Sequence, residues 1–144
     1  MDNFLWRNIG LINYVSWFIA LMAMAISLIF SELLKYPPCT LCWYQRIFMY
    51  PLVFIIPVGI VLKDDKIFRY VLLLSGVGLL IAFYHSLIYH GVIEEALQLC
   101  NAALSCKTKQ FELFNLLSIP VMSLFSFLTI FILNIKGVFY VKRD

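Results

Sequence analysis

Four long apolar stretches, each bounded by charge, constrain this chain more than any other feature: Asn8 to Ser31, Ile47 to Leu62, Tyr70 to Ile93 and Leu113 to Ile135. A helix rising about 1.5 Å per residue needs some twenty apolar residues to cross a hydrocarbon layer about 30 Å thick. Lipid also excludes any spanning backbone that cannot satisfy its own N–H and C=O groups. The expected fold is all-α, a four-transmembrane-helix bundle forming a single integral membrane domain over 1–144, with spans near 10–31, 42–62, 70–90 and 113–135. Of the 144 residues, 63% are hydrophobic and 13% charged, against roughly 45–50% and roughly 25% in soluble domains. The 11 Lys and Arg against 8 Asp and Glu leave a net +3 with no basic run, so no nucleic-acid partner is expected. Membrane lipid is the expected surrounding.

The second stretch is the short one. Ile47 to Leu62 reaches only about 24 Å as a helix, so that span should begin near Leu41 or Cys42 and draw Trp43, Tyr44 and Arg46 into the interfacial layer. The first stretch is longer than the apolar region of a signal peptide. It is followed by Pro37-Pro38 and a cysteine motif instead of a small-residue cleavage site, so it reads as a retained helix. Ser16, Ala20, Ala23 and Ser27 form one small-residue stripe, and Gly78, Ala82 and Ser86 another. Close helix packing is the default use of such stripes, and a groove for lipid or a cofactor is the alternative. Pro51 and Pro57 in the second span and Pro120 in the fourth should each bend a helix unless a neighbour compensates.

With four spans both termini share one side. That side, with the loop between the second and third spans, holds Arg7, Lys63, Lys66, Arg69, Lys136, Lys142 and Arg143, whereas the other holds only Lys35, Arg46, Lys107 and Lys109. The positive-inside rule then predicts cytoplasmic termini and extracytoplasmic cysteines. Beyond the third span, Val92, Ile93, Ala96, Leu97 and Cys100 share one helical side and Glu94, Glu95 and Gln98 the other. That pattern suits a short interfacial helix in the second extracytoplasmic loop, or equally a polar connector.

Two cysteine pairs fall on the outer side. Cys39 and Cys42 follow Pro37-Pro38 at the start of the second helix, where unpaired amides and the helix dipole favour thiolate. Arg46 lies one turn beyond Cys42 on the same face, which makes Cys42 the expected thiolate. A disulfide closing so small a ring is a poor brace, worth about 1.9 kcal/mol by loop entropy against about 3 for fifteen residues. A bond that opens and closes suits it better, in a compartment that permits disulfides. Cys100 and Cys106, followed by Lys107 and Lys109, fit either a loop staple or a second redox pair able to exchange with the first. A four-cysteine zinc site is the competitor, but the second pair lacks the usual spacing and Arg46 would repel a cation, so no metal is expected. His85 lies about one turn inside the outer end of the third span. It is either a functional group or a histidine bonded to interfacial water or backbone.

With these residues assembled, the chain resembles the DsbB and BdbC family of bacterial disulfide bond formation proteins. The resemblance rests on Cys39-Thr40-Leu41-Cys42 followed by Gln45-Arg46, on Ala82-Phe83-Tyr84-His85 and on Leu117-Ser118-Ile119-Pro120. It implies a quinone-dependent protein disulfide oxidoreductase of the bacterial cytoplasmic membrane. Such an enzyme reoxidises an extracytoplasmic thioredoxin-fold thiol oxidase, DsbA-like or BdbD-like, and passes electrons to menaquinone or ubiquinone. The resemblance also implies redox-active disulfides joining Cys39 with Cys42 and Cys100 with Cys106. Cys100 would meet the partner, Cys42 would engage the quinone, and Arg46 and His85 would stand at the quinone pocket. Some members have a longer second loop with widely separated cysteines, and here that loop is short.

The alternatives are a non-catalytic tetraspan scaffold or chaperone with structural disulfides, or a membrane thiol reductase running electrons the other way. A bracing role gives no reason for Arg46 beside Cys42. If the cysteines face outward, a membrane-impermeant maleimide applied to intact cells after reduction labels Cys100 and Cys106. Labelling that requires permeabilised cells would reverse the orientation.

Overall fold

A computed structural model describes residues 2–35, 39–64, 66–92, 112–113 and 117–142. Four helices carry the fold: α1 (Asp2–Leu28), α2 (Thr40–Leu62), α3 (Ile67–Tyr89) and α4 (Ile119–Lys142). A π turn, Ile29–Leu33, continues α1, its wider register marked by the bond from Leu34 N to Ile29 O at 3.1 Å. Within these helices the segments Gly10–Leu33, Thr40–Leu62, Ile67–Tyr89 and Ile119–Val141 are long and apolar enough to cross a membrane. The protein is an all-α, four-helix membrane bundle. A two-residue antiparallel ladder pairs Glu112 with Ser118 and Leu113 with Leu117 ahead of α4.

The bundle turns large apolar side chains both inward and outward, as a protein solvated by lipid does. Phe68, Phe127, Leu52, Ile56 and Ile130 are fully buried, while Phe18, Val61, Leu73, Leu80 and Phe125 are exposed along the helices. Small residues let the helices close on one another. Ser16 and Ala20 of α1 are completely buried, and so is Ala82 of α3. Gly78 receives the ring of Phe127 from α4 so closely that a Cβ there would lie 2.2 Å from it. Asn134 adds a polar tie, its Nδ2 donating to Ser16 Oγ at 3.2 Å and to Ile130 O at 2.8 Å.

The prolines behave differently from one another. Pro57 cannot donate to the carbonyl four residues back, that of Val53. The indole Nε1–H of Trp17 donates to Val53 O at 3.0 Å instead, so α1 supplies the bond that α2 lacks. Pro120 is no kink at all. The helix starts at Ile119 and not at Leu113, which puts Pro120 in the first turn, where an amide would have no helical partner. Between α2 and α3 the chain turns within a few residues. Lys63 takes left-handed φ 50° at the end of α2, and Asp64 Oδ1 accepts from Lys66 N at 2.9 Å.

Because the Trp17 indole replaces an absent backbone donor, Trp17→Phe should destabilise the bundle by about 1–3 kcal/mol. In a Pro57→Ala background, where residue 57 regains its amide, the same change should cost clearly less. Unfolding in mixed micelles measures both, and equal costs would break the link.

Candidate functional site

The α2 entrance is built around a sulfur. Cys39 is the N-cap residue, in extended conformation (φ −67°, ψ 164°), and its Sγ accepts from Cys42 N at 3.3 Å while its carbonyl accepts from Trp43 N at 3.1 Å. A sulfur thus takes the place usually held by a Ser or Asp oxygen. Cys-x-x-Cys starting at the cap sets both sulfurs on one turn, and the two Sγ atoms lie 2.8 Å apart. Leu41 and Ile88 bury the pair from behind, with Ile81 and Tyr84 packed alongside.

The two cysteines face different surroundings. On the Cys39 side, His85 of α3 sits 2% exposed with Nε2 3.7 Å from Cys39 Sγ, and its Nδ1 is 3.1 Å from Nε2 of Gln45, itself buried. With Gln45 Nε2 donating to Nδ1, the imidazole carries its proton on Nε2 and presents it to Cys39. With the amide turned over, the Gln45 oxygen accepts Nδ1–H and frees the Nε2 lone pair. The hydrogen bond from the Cys42 thiol does most to hold the Cys39 thiol well below its ordinary range, against burial that pushes it up, with help from His85 and the Cys42 amide.

On the Cys42 side lies a cavity of about 860 Å³, its open mouth included. Cys42, Gln45, Arg46, Met49 and Tyr50 of α2 line it, with Ala23, Ser27 and the π turn of α1 on one flank and Ile119, Met122, Ser123, Ser126 and Phe127 of α4 on the other. The Arg46 guanidinium donates through Nη2 to Ser27 O at 3.0 Å and lies 5.5 Å from the Trp43 ring centroid. Its Nε, and the hydroxyl of Tyr50, are buried with no hydrogen-bond partner among the described residues. Such donors are costly to leave unmade in lipid, and both belong to residues that line the cavity.

Several sequence expectations change against this geometry. Cys42, Arg46 and His85 were all expected at one pocket, yet His85 is not among the cavity-lining residues and stands behind the sulfurs, against Cys39. The hydrogen bonds gather on Cys39 and not on the expected thiolate Cys42, because the cap position collects the amide and Arg46 points to Ser27. The α1 stripe divides: Ser16 and Ala20 pack, whereas Ala23 and Ser27 open onto the cavity. Cys100, Cys106 and the expected interfacial helix fall outside the described residues. Gln45 and Tyr50 were not singled out as site residues. A buried amide in an apolar helix, four residues from Leu41, was the available signal for Gln45.

Comparisons with known proteins agree on one family. The model for disulfide bond formation protein DsbB matches residues 11–136. A probable disulfide formation protein C 2 of Bacillus cereus is 43% identical over 130 residues, covering 90% of this chain and 89% of its own. A probable disulfide formation protein of Oceanobacillus iheyensis is 42% identical, covering 83% of each. The disulfide bond formation protein C of Bacillus subtilis is 38% identical, covering 83% of this chain and 86% of its own. No solved structure matches.

The lowered Cys39 range has a measurable sign. In the reduced protein, thiolate absorbance should persist at pH values where an ordinary thiol is protonated, and disappear only as pH falls through the lowered value. His85→Ala, which removes one donor, should shift that loss to higher pH. An unshifted titration would remove His85 from the thiolate's environment.

Proposed function

The chain belongs to the disulfide bond formation protein DsbB family, and from that premise we propose that it reoxidises an extracytoplasmic thioredoxin-fold thiol oxidase and delivers the electrons to a membrane quinone. Membership makes it a multi-pass membrane oxidoreductase of disulfide bond formation. The observation that carries the finer reading is the position of Cys42. Cys42, one of a dithiol pair, lines a cavity that Arg46 and Tyr50 also line, and the Arg46 Nε and Tyr50 hydroxyl are buried with no partner among the described residues.

A quinone supplies a two-electron, two-proton acceptor that stays in the bilayer. The cavity residues fit its polar edge: Arg46 and Tyr50 offer donors to carbonyl oxygens, and Met49, Met122 and Phe127 offer apolar wall. A guanidinium there also stabilises negative charge as it develops on oxygen or on Cys42 sulfur. Cys39, whose thiolate its hydrogen bonds favour, is the sulfur that would close the disulfide by attacking Cys42, the two electrons and the Cys42 thiol proton passing to the acceptor as the S–S bond forms. His85, held by Gln45, steadies Cys39 through this step and takes or returns a proton at Nε2.

Upstream, the partner's thiolate attacks the disulfide of Cys100 with Cys106 at Cys100. The partner's second thiolate then releases the mixed disulfide, leaving the partner oxidised and both loop cysteines reduced. The reduced loop pair in turn opens the disulfide of Cys39 with Cys42. Outward-facing cysteines, with cytoplasmic termini, complete the reading.

Purified protein with a soluble quinone should oxidise a reduced thioredoxin-fold partner, with Cys42→Ser abolishing turnover. Arg46→Ala should raise the KM for quinone by roughly 10-fold or more, given the worth of a charge-assisted hydrogen bond, and leave the KM for the partner unchanged. Full turnover by Cys42→Ser would eliminate this mechanism.

A further inference from the structure

We propose that Cys39, Cys42 and His85 form a binding site for thiophilic d¹⁰ cations such as zinc, open only when the cysteine pair is reduced. Spacing along the chain gives no reason to connect His85 with the cysteines. The fold does: the two sulfurs and one imidazole nitrogen all lie within 4.8 Å of one another, with α3 supplying the third ligand. Zinc bonds of about 2.3 Å to sulfur and about 2.0 Å to nitrogen place tetrahedral ligand atoms about 3.5–3.8 Å apart. Cys39 Sγ and His85 Nε2 are 3.7 Å apart, at that spacing already. The sulfurs, at 2.8 Å, need Cys42 to turn outward by about an ångström. Cys42 is the less buried of the two and borders the cavity, so it has room to do so and gives the ion an entry path.

The support beyond the ligands is present as well. Metal-binding histidines usually donate their second ring N–H to a fixed acceptor. Gln45, buried with its side-chain amide 3.1 Å from Nδ1, provides that acceptor with the amide turned over so that its oxygen meets Nδ1–H. A divalent ion with two thiolates carries no net charge at the site, so Arg46, tied to Ser27 O, does not oppose it. Binding displaces the thiol protons and changes no oxidation state. Closing the disulfide withdraws both thiolates and leaves one imidazole, too little to retain the ion. Metal and oxidant therefore compete for the same reduced pair. A bound ion arrests the relay in its reduced form and raises the pair's midpoint potential, most effectively when electron acceptor is scarce.

The inference needs the dithiol pair but not the quinone reading, and its test measures binding without turnover. The protein carrying Cys100→Ser and Cys106→Ser isolates the site. After reduction and removal of reductant, it should bind zinc with one-to-one stoichiometry against a chromophoric chelator, and cadmium should give a sulfur-to-metal charge-transfer band. Both signals should vanish in the oxidised protein. Gln45→Ala should weaken binding by about 10–100-fold, and His85→Ala by at least as much. X-ray absorption on the unsubstituted site, which does not depend on any variant's folding, should show imidazole scattering beside two sulfurs. Equal binding by oxidised protein, or a sulfur-only shell with no imidazole, would overturn the proposal.

Discussion

Hydrocarbon offers a backbone N–H or C=O no substitute partner, and at three places in this bundle a side chain takes up a backbone group. At Val53 the missing donor of Pro57 is replaced by the Trp17 indole from α1. Beside the π turn, the Ser27 carbonyl takes the Arg46 guanidinium from α2. At the head of α2, the Cys42 amide is taken by the Cys39 sulfur. The first two repairs also lock α1 to α2 and the third fixes the first turn of α2, so the groups that satisfy the backbone are the ones that position the site.

That economy explains why the two cysteines differ although they sit one turn apart. The cap position commits Cys39 to the protein interior, where α3 brings His85 and, through it, Gln45. Cys42, inside the first turn, is turned toward the space that α1, α2 and α4 leave between them. The floor of that space includes Phe127, whose ring is seated by the absence of a side chain at Gly78. Packing of α3 on α4 and the depth of the cavity are consequently one matter.

Much of this was legible in the chain itself, because hydropathy against charge is a long-range average that neighbours scarcely perturb. The start of α2 at Thr40 was readable from the shortness of Ile47 to Leu62 together with Pro37-Pro38. Pro120 misled because apolar character runs on through Leu113 to Ile119, and hydropathy alone cannot separate a helical turn from the segment before it. The partnership of His85 with Cys39 could not be read from spacing, since it depends on how α3 is rotated against α2. Nor could the division of the α1 stripe, because Ser16 and Ala23 are alike in sequence and differ only in what stands opposite them.

The sulfur at the head of α2 has a mechanical consequence. A thiolate is a strong acceptor and a disulfide sulfur a weak one, so the bond from the Cys42 amide to Cys39 tightens on reduction and slackens on oxidation. The first turn of the helix is accordingly stiffer in the electron-loaded form and looser in the form that awaits electrons. Charge state is thereby coupled to the rigidity of the segment that an incoming sulfur meets in the proposed relay.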